Sequence, residues 1–185
     1  TFTGRDRALL FNTGFQLNAS AIPALLGKSG ALFCDALNHA SLIDGARLAK
    51  RPLHIYPHAD LLALERLLAS SDEPVKLIVS DAVFSMDGDV APLLELAKLS
   101  ARYQAWLLVD DAHGLGVLGP QGRGSLAAAG LSQQEVPLLM GAFGKAFGAA
   151  GSFVAGPESA IELLLQTCRG QIFSTAMPPA LAAVL

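Results

Sequence analysis

The chain has 185 residues, a formal net charge of −3 and 52% hydrophobic residues. A chain of this length fits one domain, and its slightly negative charge without a long run of either sign predicts neither a nucleic-acid partner nor an anionic membrane surface as partner. Its mean hydropathy of +0.44 is high for a free-standing domain, which predicts that part of its surface meets other protein.

Short apolar runs alternate along the chain with segments of helical period. Strands are predicted at Ala31–Cys34, Leu53–Tyr56, Lys76–Val83, Trp106–Asp110, Pro137–Phe143 and Ser152–Ala155. Helices are predicted at Leu17–Leu26, Ser41–Ala49, Asp60–Ala69, Leu93–Tyr103 and Glu158–Cys168, the third of them capped by its first residue. Several strands are apolar on both faces. The pattern therefore predicts an α/β fold, with a mostly parallel central sheet covered by helices on both faces.

The cysteines and the longest apolar stretch bear on location. Cys34 and Cys168 form no CxxC pair and no basic-apolar leader precedes Arg5, so we expect a reduced, cytoplasmic setting. The stretch 136–156 is interrupted by Lys145 and several glycines, and we expect no membrane span there. Because the chain starts at Thr1 and stops within a helical pattern, we also expect it to be an excerpt of a longer polypeptide.

Polar residues follow three of the predicted strands. Asp81 ends one strand, Asp110 and Asp111 end the next, and Lys145 follows the third. Ligands of parallel sheets bind beyond the carboxyl ends of the strands. The placement therefore predicts a site at that edge of the sheet.

Lys145 has three interpretations: a phosphate-loop lysine, a surface lysine or a covalent catalyst. A Walker A loop would need glycine at Leu139 and Ser or Thr at Ala146, which excludes the first interpretation. The flanking residues are apolar, and desolvation lowers the pKa of an amine and makes it a competent nucleophile toward an aldehyde. This favours the covalent role over a plain surface lysine.

Asp110 and His113 are three residues apart after a strand, which is compatible with half of a metal site or with helix capping. No further metal ligands are evident at suitable spacing. A buried carboxylate can also keep the ring nitrogen of a pyridine cofactor protonated. His39 opens a predicted helix and is either a capping residue or part of the same site.

A glycine follows the apolar run Ala8–Phe11 and precedes the first helix. Gly14 and Phe15 place backbone N–H groups at that helix start, where a phosphate dianion is favoured. Glycine before a helix is also common where no anion binds, so an ordinary helix start is the alternative.

Five motifs occur in the chain in a fixed order. They are Ser85-Met86-Asp87-Gly88-Asp89, Asp110-Asp111-Ala112-His113-Gly114, Gly119-x-x-Gly122-Arg123-Gly124, Phe143-Gly144-Lys145 and Ser174-Thr175-Ala176-Met177-Pro178-Pro179. Over nearly its full length the chain resembles the α-oxoamine synthases. The resemblance implies the mostly parallel, mixed sheet of the large domain of fold type I pyridoxal-phosphate (PLP) enzymes. Residues 1–185 would form that domain, with an N-terminal segment and a C-terminal small domain outside them.

The resemblance also implies roles around the PLP ring. Lys145 would hold PLP covalently, Asp110 would pair with the ring nitrogen, and His113 would contact the ring oxygen. His39 would stack on the ring face, and Ser85 would lie close to the cofactor.

Further roles concern the phosphate and the neighbouring subunit. Gly14 and Phe15 would hold the phosphate through main-chain groups, and Thr175 would reach the phosphate of a neighbouring subunit, which implies a homodimer. Two positions depart from the family: Ala142 stands where a phosphate-binding Thr is usual, and Asp81 stands where Glu is usual.

The reaction implied is a decarboxylative condensation of L-alanine with pimeloyl-CoA or pimeloyl-acyl-carrier protein, a step of biotin biosynthesis. Relatives with other substrates remain open: 2-amino-3-ketobutyrate ligase, 5-aminolevulinate synthase and serine palmitoyltransferase. A non-catalytic partner subunit of this fold is a further alternative, although Lys145 is retained. A Rossmann nucleotide-binding module ranks last, because no Gly-x-Gly-x-x-Gly follows the first strand.

Overall fold

The structure is a computed structural model that describes residues 2–184. The two end residues of the predicted domain, Thr1 and Leu185, lie outside the described residues. The strands are β1 (Arg7–Phe11), β2 (Ala31–Asp35), β3 (Leu53–Tyr56), β4 (Lys76–Asp81), β5 (Trp106–Asp110), β6 (Leu138–Ala142) and β7 (Ser152–Gly156). The helices are α1 (Gly14–Leu26), α2 (Ala40–Leu48), α3 (Leu61–Ala69), α4 (Leu93–Arg102), α5 (Ser125–Ala128), α6 (Glu158–Thr167), α7 (Arg169–Ile172) and α8 (Pro179–Val184), with a 3-10 turn at Pro120–Gly122.

The seven strands form one mixed sheet in the order β1-β7-β6-β5-β4-β2-β3. Strands β2 to β6 run parallel, whereas β7 is antiparallel to both β6 and β1. The predicted α/β class and mostly parallel sheet are confirmed. Within residues 2–184, no helix has both the length and the apolar character that crossing a membrane requires.

Each face of the sheet carries its own apolar core. On one face α1, α2 and α6 cover the sheet, and on the other face α3, α4 and α5 do so. Strand β5 serves both cores, because Leu108 faces the first and Leu107 and Val109 face the second. This two-sided burial explains why the central strands are apolar throughout rather than alternating.

Strand β1 was not among the predicted strands. Its exposure alternates from Arg7 to Phe11, which is typical of an edge strand with one face toward solvent. The predicted strand Lys76–Val83 ends early at Asp81, because the chain then turns and Val83 pairs with Val90. Helix α1 starts at Gly14 rather than Leu17.

Side-chain caps start three of the helices, with Thr13 at α1, His39 at α2 and Asp60 at α3. Thr13 caps α1 by accepting a hydrogen bond from the Gln16 amide at 3.1 Å. The predicted cap at Asp60 is confirmed, since its carboxylate accepts from the Ala63 amide at 2.9 Å. Such caps pair amides that have no partner inside the helix.

Helices α1 and α2 touch almost backbone to backbone at Gly45. A Cβ at this position would lie 2.4 Å from the carbonyl oxygen of Asn18 and 2.9 Å from Ile22 Cδ1. The close approach allows the Asn18 amide to donate to Ser41 Oγ at 2.9 Å. Gly45 therefore sets the distance between two helices whose first turns reach the carboxyl edge of the sheet.

Substitution of Gly45 by Ala tests this contact in the full-length protein. Alanine favours a helix over glycine, but here the added methyl group has no space, so we expect a loss of roughly 1–3 kcal/mol in the free energy of unfolding. The control Asp44→Ala removes only an exposed pair with Arg47 and should change stability by less than about 0.5 kcal/mol. Urea unfolding followed by circular dichroism measures both, and equal stabilities would contradict the account.

Candidate active site

A cavity of about 210 Å³ opens at the carboxyl ends of β4, β5 and β6. Asp81 and Asp110 are direct neighbours in the register of β4 and β5, and Asp110 pairs in turn with Met140 of β6. The lining residues are Gly14, Phe15, Asn18, His39, Ser41, Asp81, Asp110, Ala112, His113, Ala142 and Lys145. Seven of the nine residues predicted for the site thus lie around one cavity.

An amine and an imidazole meet inside this cavity. Lys145 Nζ lies 2.7 Å from His113 Nε2. Burial lowers the pKa of Lys145, and the neighbouring carboxylates of Asp110 and Asp81 oppose that shift. Burial and the adjacent Lys145 amine also lower the pKa of His113. Both shifts favour the neutral forms, in which a nitrogen lone pair is available.

Asp110 faces the cavity and is held through both of its oxygens. Oδ2 accepts from Asn18 Nδ2 at 2.7 Å, and Oδ1 accepts from the Ala112 amide at 3.0 Å. Asn18 is only 1% exposed, and its Oδ1 has no hydrogen-bond partner among the described residues. These two contacts fix the position of the carboxylate.

Asp81 is the second carboxylate of the cavity. Its Oδ2 accepts from the His39 amide at 2.6 Å, and its own amide donates to Asn38 Oδ1 at 3.1 Å. Burial, with a further contribution from Asp110, raises the pKa of Asp81 to about 7. The shorter Asp in place of the family's Glu is therefore part of the site.

His39 is both the cap of α2 and part of the cavity wall. Its Nδ1 accepts from the Ser41 amide at 3.2 Å and lies 2.8 Å from Ser41 Oγ. His39 can therefore be both a helix cap and a residue of the site, because the capping contact uses only Nδ1 of the ring.

Asp111, next to Asp110, has a structural role. Its carboxylate accepts from the Ser125 amide at 2.7 Å and from Ser125 Oγ at 2.6 Å. A Cβ at Gly114 or Gly124 would lie about 2 Å from an Asp111 oxygen. Burial raises the pKa of Asp111 to about 6, and the Ser125 hydrogen bonds oppose the shift. Two glycines of the sequence motifs are thus explained by the space that this carboxylate occupies.

The first turn of α1 borders the cavity through Gly14 and Phe15. Nothing lies within 4 Å of where a Cβ of Gly14 would be, so the approach to its backbone is open. Amides in the first turn of a helix have no partner within the helix and attract anions. The predicted anion-binding position is therefore next to the amine and the two carboxylates.

Two predicted site residues do not line the cavity. Ser85 is exposed in the turn that follows β4. Thr175 is exposed after α7, where its carbonyl oxygen accepts from Asn12 Nδ2 at 2.9 Å. Their expected contacts, one with the cofactor and one with a neighbouring subunit, stay predictions.

The sequence interpretation missed Asn18, Ser41 and Ala112. Asn18 has the clearest signal in the sequence, since it is a polar residue at a position where an amphipathic helix faces its core.

The alternative of a metal site at Asp110 and His113 gains no support, because among residues 2–184 no cluster of three His, Cys, Asp or Glu side chains is arranged to hold a metal ion.

A known protein family matches the whole length of the chain. The family model described as aminotransferase class I and II matches residues 1–185. A curated relative, the 8-amino-7-oxononanoate synthase of Burkholderia vietnamiensis, is 59% identical over 181 residues, which are 98% of this chain and 45% of that protein. The chain therefore spans about half the length of the curated relatives it matches.

Several solved structures resemble this chain over nearly its whole length. A serine palmitoyltransferase from S. paucimobilis, solved with a bound PLP–myriocin compound, has a TM-score of 0.93 and 35% identity, covering 99% of this chain and 46% of that one. The 8-amino-7-oxononanoate synthase of Francisella tularensis has a TM-score of 0.85 and 34% identity, covering 99% and 52%. The predicted resemblance to α-oxoamine synthases is confirmed.

Substitution of Asp81 by Asn tests the electrostatics of the cavity in protein without added ligand. The pKa of Asp81 in the folded protein, about 7, lies above its usual value of 3.8, so the folded state binds this proton more tightly than the unfolded chain does. Its contribution to stability therefore falls as the pH rises from about 4 to 7. Asn cannot ionise. We therefore expect the free energy of unfolding of Asp81→Asn, relative to that of the wild type, to be roughly 2 kcal/mol higher at pH 8 than at pH 5.

Urea unfolding at the two pH values measures this difference. Asp72→Asn, at an exposed position, is the control and should follow the wild type. The same dependence on pH in the wild type and in Asp81→Asn would contradict the assignment.

Proposed function

The chain belongs to the aminotransferase class I and II family, and we propose that the protein containing it uses PLP to condense L-alanine with a pimeloyl thioester. Carbon dioxide is lost and 8-amino-7-oxononanoate is formed, a step of biotin biosynthesis. The observation that carries the proposal is the contact between Lys145 Nζ and His113 Nε2 in a cavity that also holds a fixed carboxylate. The 59% identity to a named 8-amino-7-oxononanoate synthase supports the choice of reaction.

The cavity fits PLP in the chemistry of its donor groups. An aldehyde requires a nucleophilic amine, which Lys145 offers with a lowered pKa. A protonated ring nitrogen requires a carboxylate, which Asp110 offers from a position fixed by Asn18 and Ala112. A phosphate requires N–H donors, which the first turn of α1 offers at Gly14 and Phe15.

PLP, when bound, supplies an electron sink for the charge that develops at the α-carbon of the amino acid. Asp110 would hold the proton on the ring nitrogen, because a negative charge at hydrogen-bond distance favours the protonated form. Asn18 would keep that carboxylate aimed at the ring. His39, held through Nδ1 by Ser41, would pack its ring against the face of the cofactor.

Lys145 would also move the substrate's proton. Burial lowers the pKa of Lys145 and so favours the neutral amine, whose Nζ would be able to accept the α-proton. His113 at 2.7 Å would orient Nζ and contact the ring oxygen. Asp81 and Asp110 favour the charged amine and so help Lys145 to retain the proton it has taken.

We propose that the active protein is a homodimer, with Thr175 reaching the phosphate of the neighbouring subunit and Ser85 lying close to the cofactor. Large exposed apolar side chains support a subunit contact, because exposed apolar surface is costly in water. They include Phe15, Val117 and Phe173, the last of which is 71% exposed.

Cytoplasmic location is proposed too, since Cys34 and Cys168 are both free thiols.

A related reaction is the second candidate. The TM-score of 0.93 with a serine palmitoyltransferase supports an α-oxoamine synthase that takes serine and a longer acyl thioester. The 59% identity to the 8-amino-7-oxononanoate synthase of Burkholderia vietnamiensis, against 35% to this palmitoyltransferase, favours alanine and the pimeloyl group. Assays of the full-length protein should pair alanine, glycine and serine with pimeloyl-CoA, pimeloyl-acyl-carrier protein, acetyl-CoA and palmitoyl-CoA. Turnover of glycine with acetyl-CoA, but not of alanine with a pimeloyl thioester, would contradict our choice.

Substitution of Lys145 by Ala tests the covalent role. We expect the visible absorption band of the PLP-loaded protein to disappear and turnover to fall roughly 10³-fold or more, because both the attachment point and the base are removed. The control Lys98→Ala removes an exposed lysine of α4 and should keep the band and the rate. An unchanged spectrum of Lys145→Ala would exclude the role.

Substitution of Ala142 by Thr tests the departure from the family. Ala142 ends β6 at the cavity and cannot donate a hydrogen bond from its side chain. A hydroxyl here should contact the phosphate, and we expect PLP to bind roughly 3- to 10-fold more tightly. Titration of the cofactor-free protein with PLP measures this affinity. The matched variant Ala142→Val has the same shape without the hydroxyl, and equal tightening in both variants would assign the gain to packing.

A further inference from the structure

A histidine outside the cavity bridges two carboxylates. His58 lies in the connection between β3 and α3, with Nδ1 at 2.9 Å from Asp35 Oδ1 and Nε2 at 2.8 Å from Asp89 Oδ2. A neutral imidazole has a single N–H and can donate to only one of two carboxylates. Both contacts are hydrogen bonds only when the ring is protonated. We call His58, Asp35 and Asp89 the His58 bridge.

The Asp35 end of the bridge is fixed. Asp35 closes β2, is 3% exposed, and accepts hydrogen bonds from the amides of Leu37 at 2.8 Å and Ala59 at 2.9 Å. The Ala59 amide follows His58 directly, so the same carboxylate holds the backbone and the side chain of this connection. His58 is therefore anchored to the central sheet.

The Asp89 end of the bridge belongs to the turn 84–89, which follows β4. The Phe84 amide donates to the Asp89 carbonyl at 3.0 Å, and the Gly88 amide donates to the Phe84 carbonyl at 2.8 Å. The rings of Phe84 and His58 also form a T-shaped pair, with 4.4 Å between their centroids. Ser85 and Met86, which follow Phe84 in the turn, are exposed, and Met86 is 90% exposed.

The charged groups around His58 favour its protonated form. The hydrogen bond to Asp35, together with the one to Asp89, raises the pKa of His58, and burial opposes the shift. Tyr56 lies close to Asp35, but burial raises the pKa of its phenol so that it stays uncharged at neutral pH. Asp60 is the next acid along the chain, and its carboxylate caps α3 at Ala63. The bridge thus places an imidazole, whose protonated form is favoured, between two carboxylates.

We infer that His58 is a positioning residue that ties the turn 84–89 to β2 and thereby holds Ser85 in place for the cofactor. Among the side chains of this turn, Asp89 is the one for which the described structure has a hydrogen bond, and that bond goes to His58. The inference rests on the proposed function through the expected contact of Ser85 with PLP. The bridge itself does not depend on that contact.

Two variants of the full-length protein separate the bridge from the turn. Asp89→Ala breaks the tie to the turn and leaves the anchor between His58 and Asp35 in place. Asp87→Ala is the matched control, since it removes an exposed acid of the same turn for which the structure shows no side-chain hydrogen bond. Neither residue lines the cavity.

The first measurement is amide hydrogen exchange of residues 83–90 in protein without PLP. We expect exchange in Asp89→Ala to be roughly tenfold faster than in the wild type, because a lost tie lowers the cost of local opening, and unchanged in Asp87→Ala. NMR titration of His58 should also show a lower pKa in Asp89→Ala. Exchange and a His58 titration equal to those of the wild type would overturn the inference.

The second measurement is the affinity for PLP. We expect PLP to bind Asp89→Ala roughly 3- to 10-fold more weakly than it binds the wild type, with no change in Asp87→Ala. Faster exchange with unchanged affinity would also overturn the inference, because the turn would then be loosened without consequence for the cofactor. Failure of the wild type itself to bind PLP would instead contradict the proposed function and leave the exchange result as the test of the bridge.

Discussion

Two carboxylates stand side by side at the carboxyl edge of the sheet, and the rest of the site depends on how their charges are balanced. Asp81 and Asp110 are register partners on β4 and β5, so the backbone pairing fixes their proximity. Asp110 accepts hydrogen bonds from Asn18 and from the Ala112 amide. Burial and the neighbouring Asp110 raise the pKa of Asp81 to about 7. Lys145 interacts favourably with both acids. A carboxylate held by two hydrogen bonds, with an amine beside it, is the arrangement that the proposed chemistry requires.

The fold supplies this arrangement through contacts far from the chemistry. Gly45 brings α1 and α2 close enough for Asn18 to reach both Ser41 and Asp110. On the other side of β5, Asp111 holds the amide and hydroxyl of Ser125. Asp110 and Asp111 therefore have different roles although they are adjacent, because successive side chains at the end of a strand face opposite sides of the sheet.

Much of the site could be predicted from the sequence because its key residues follow strands or open helices. Lys145, Asp110 and His113 sit after apolar runs, and the strand ends of a parallel sheet meet at one edge. Asn18 could not be found in this way, since its contact with Asp110 spans 92 positions of sequence and requires the packing of α1 on the sheet. Strand β1 was missed because an edge strand with alternating burial is short and has a weak pattern. The separate duties of Asp110 and Asp111 were also beyond the sequence, because both are acids at the same strand end.

The central claim is that the amine of Lys145 binds the cofactor covalently. Reduction of the PLP-loaded full-length protein with borohydride, followed by trypsin digestion and mass spectrometry, tests it most directly. The account predicts that the reduced cofactor is found on Lys145, in a peptide that runs from Gly124 to Arg169 because trypsin no longer cleaves at the modified lysine. Cofactor attached to another lysine, or no stable adduct on a protein that binds PLP, would contradict it.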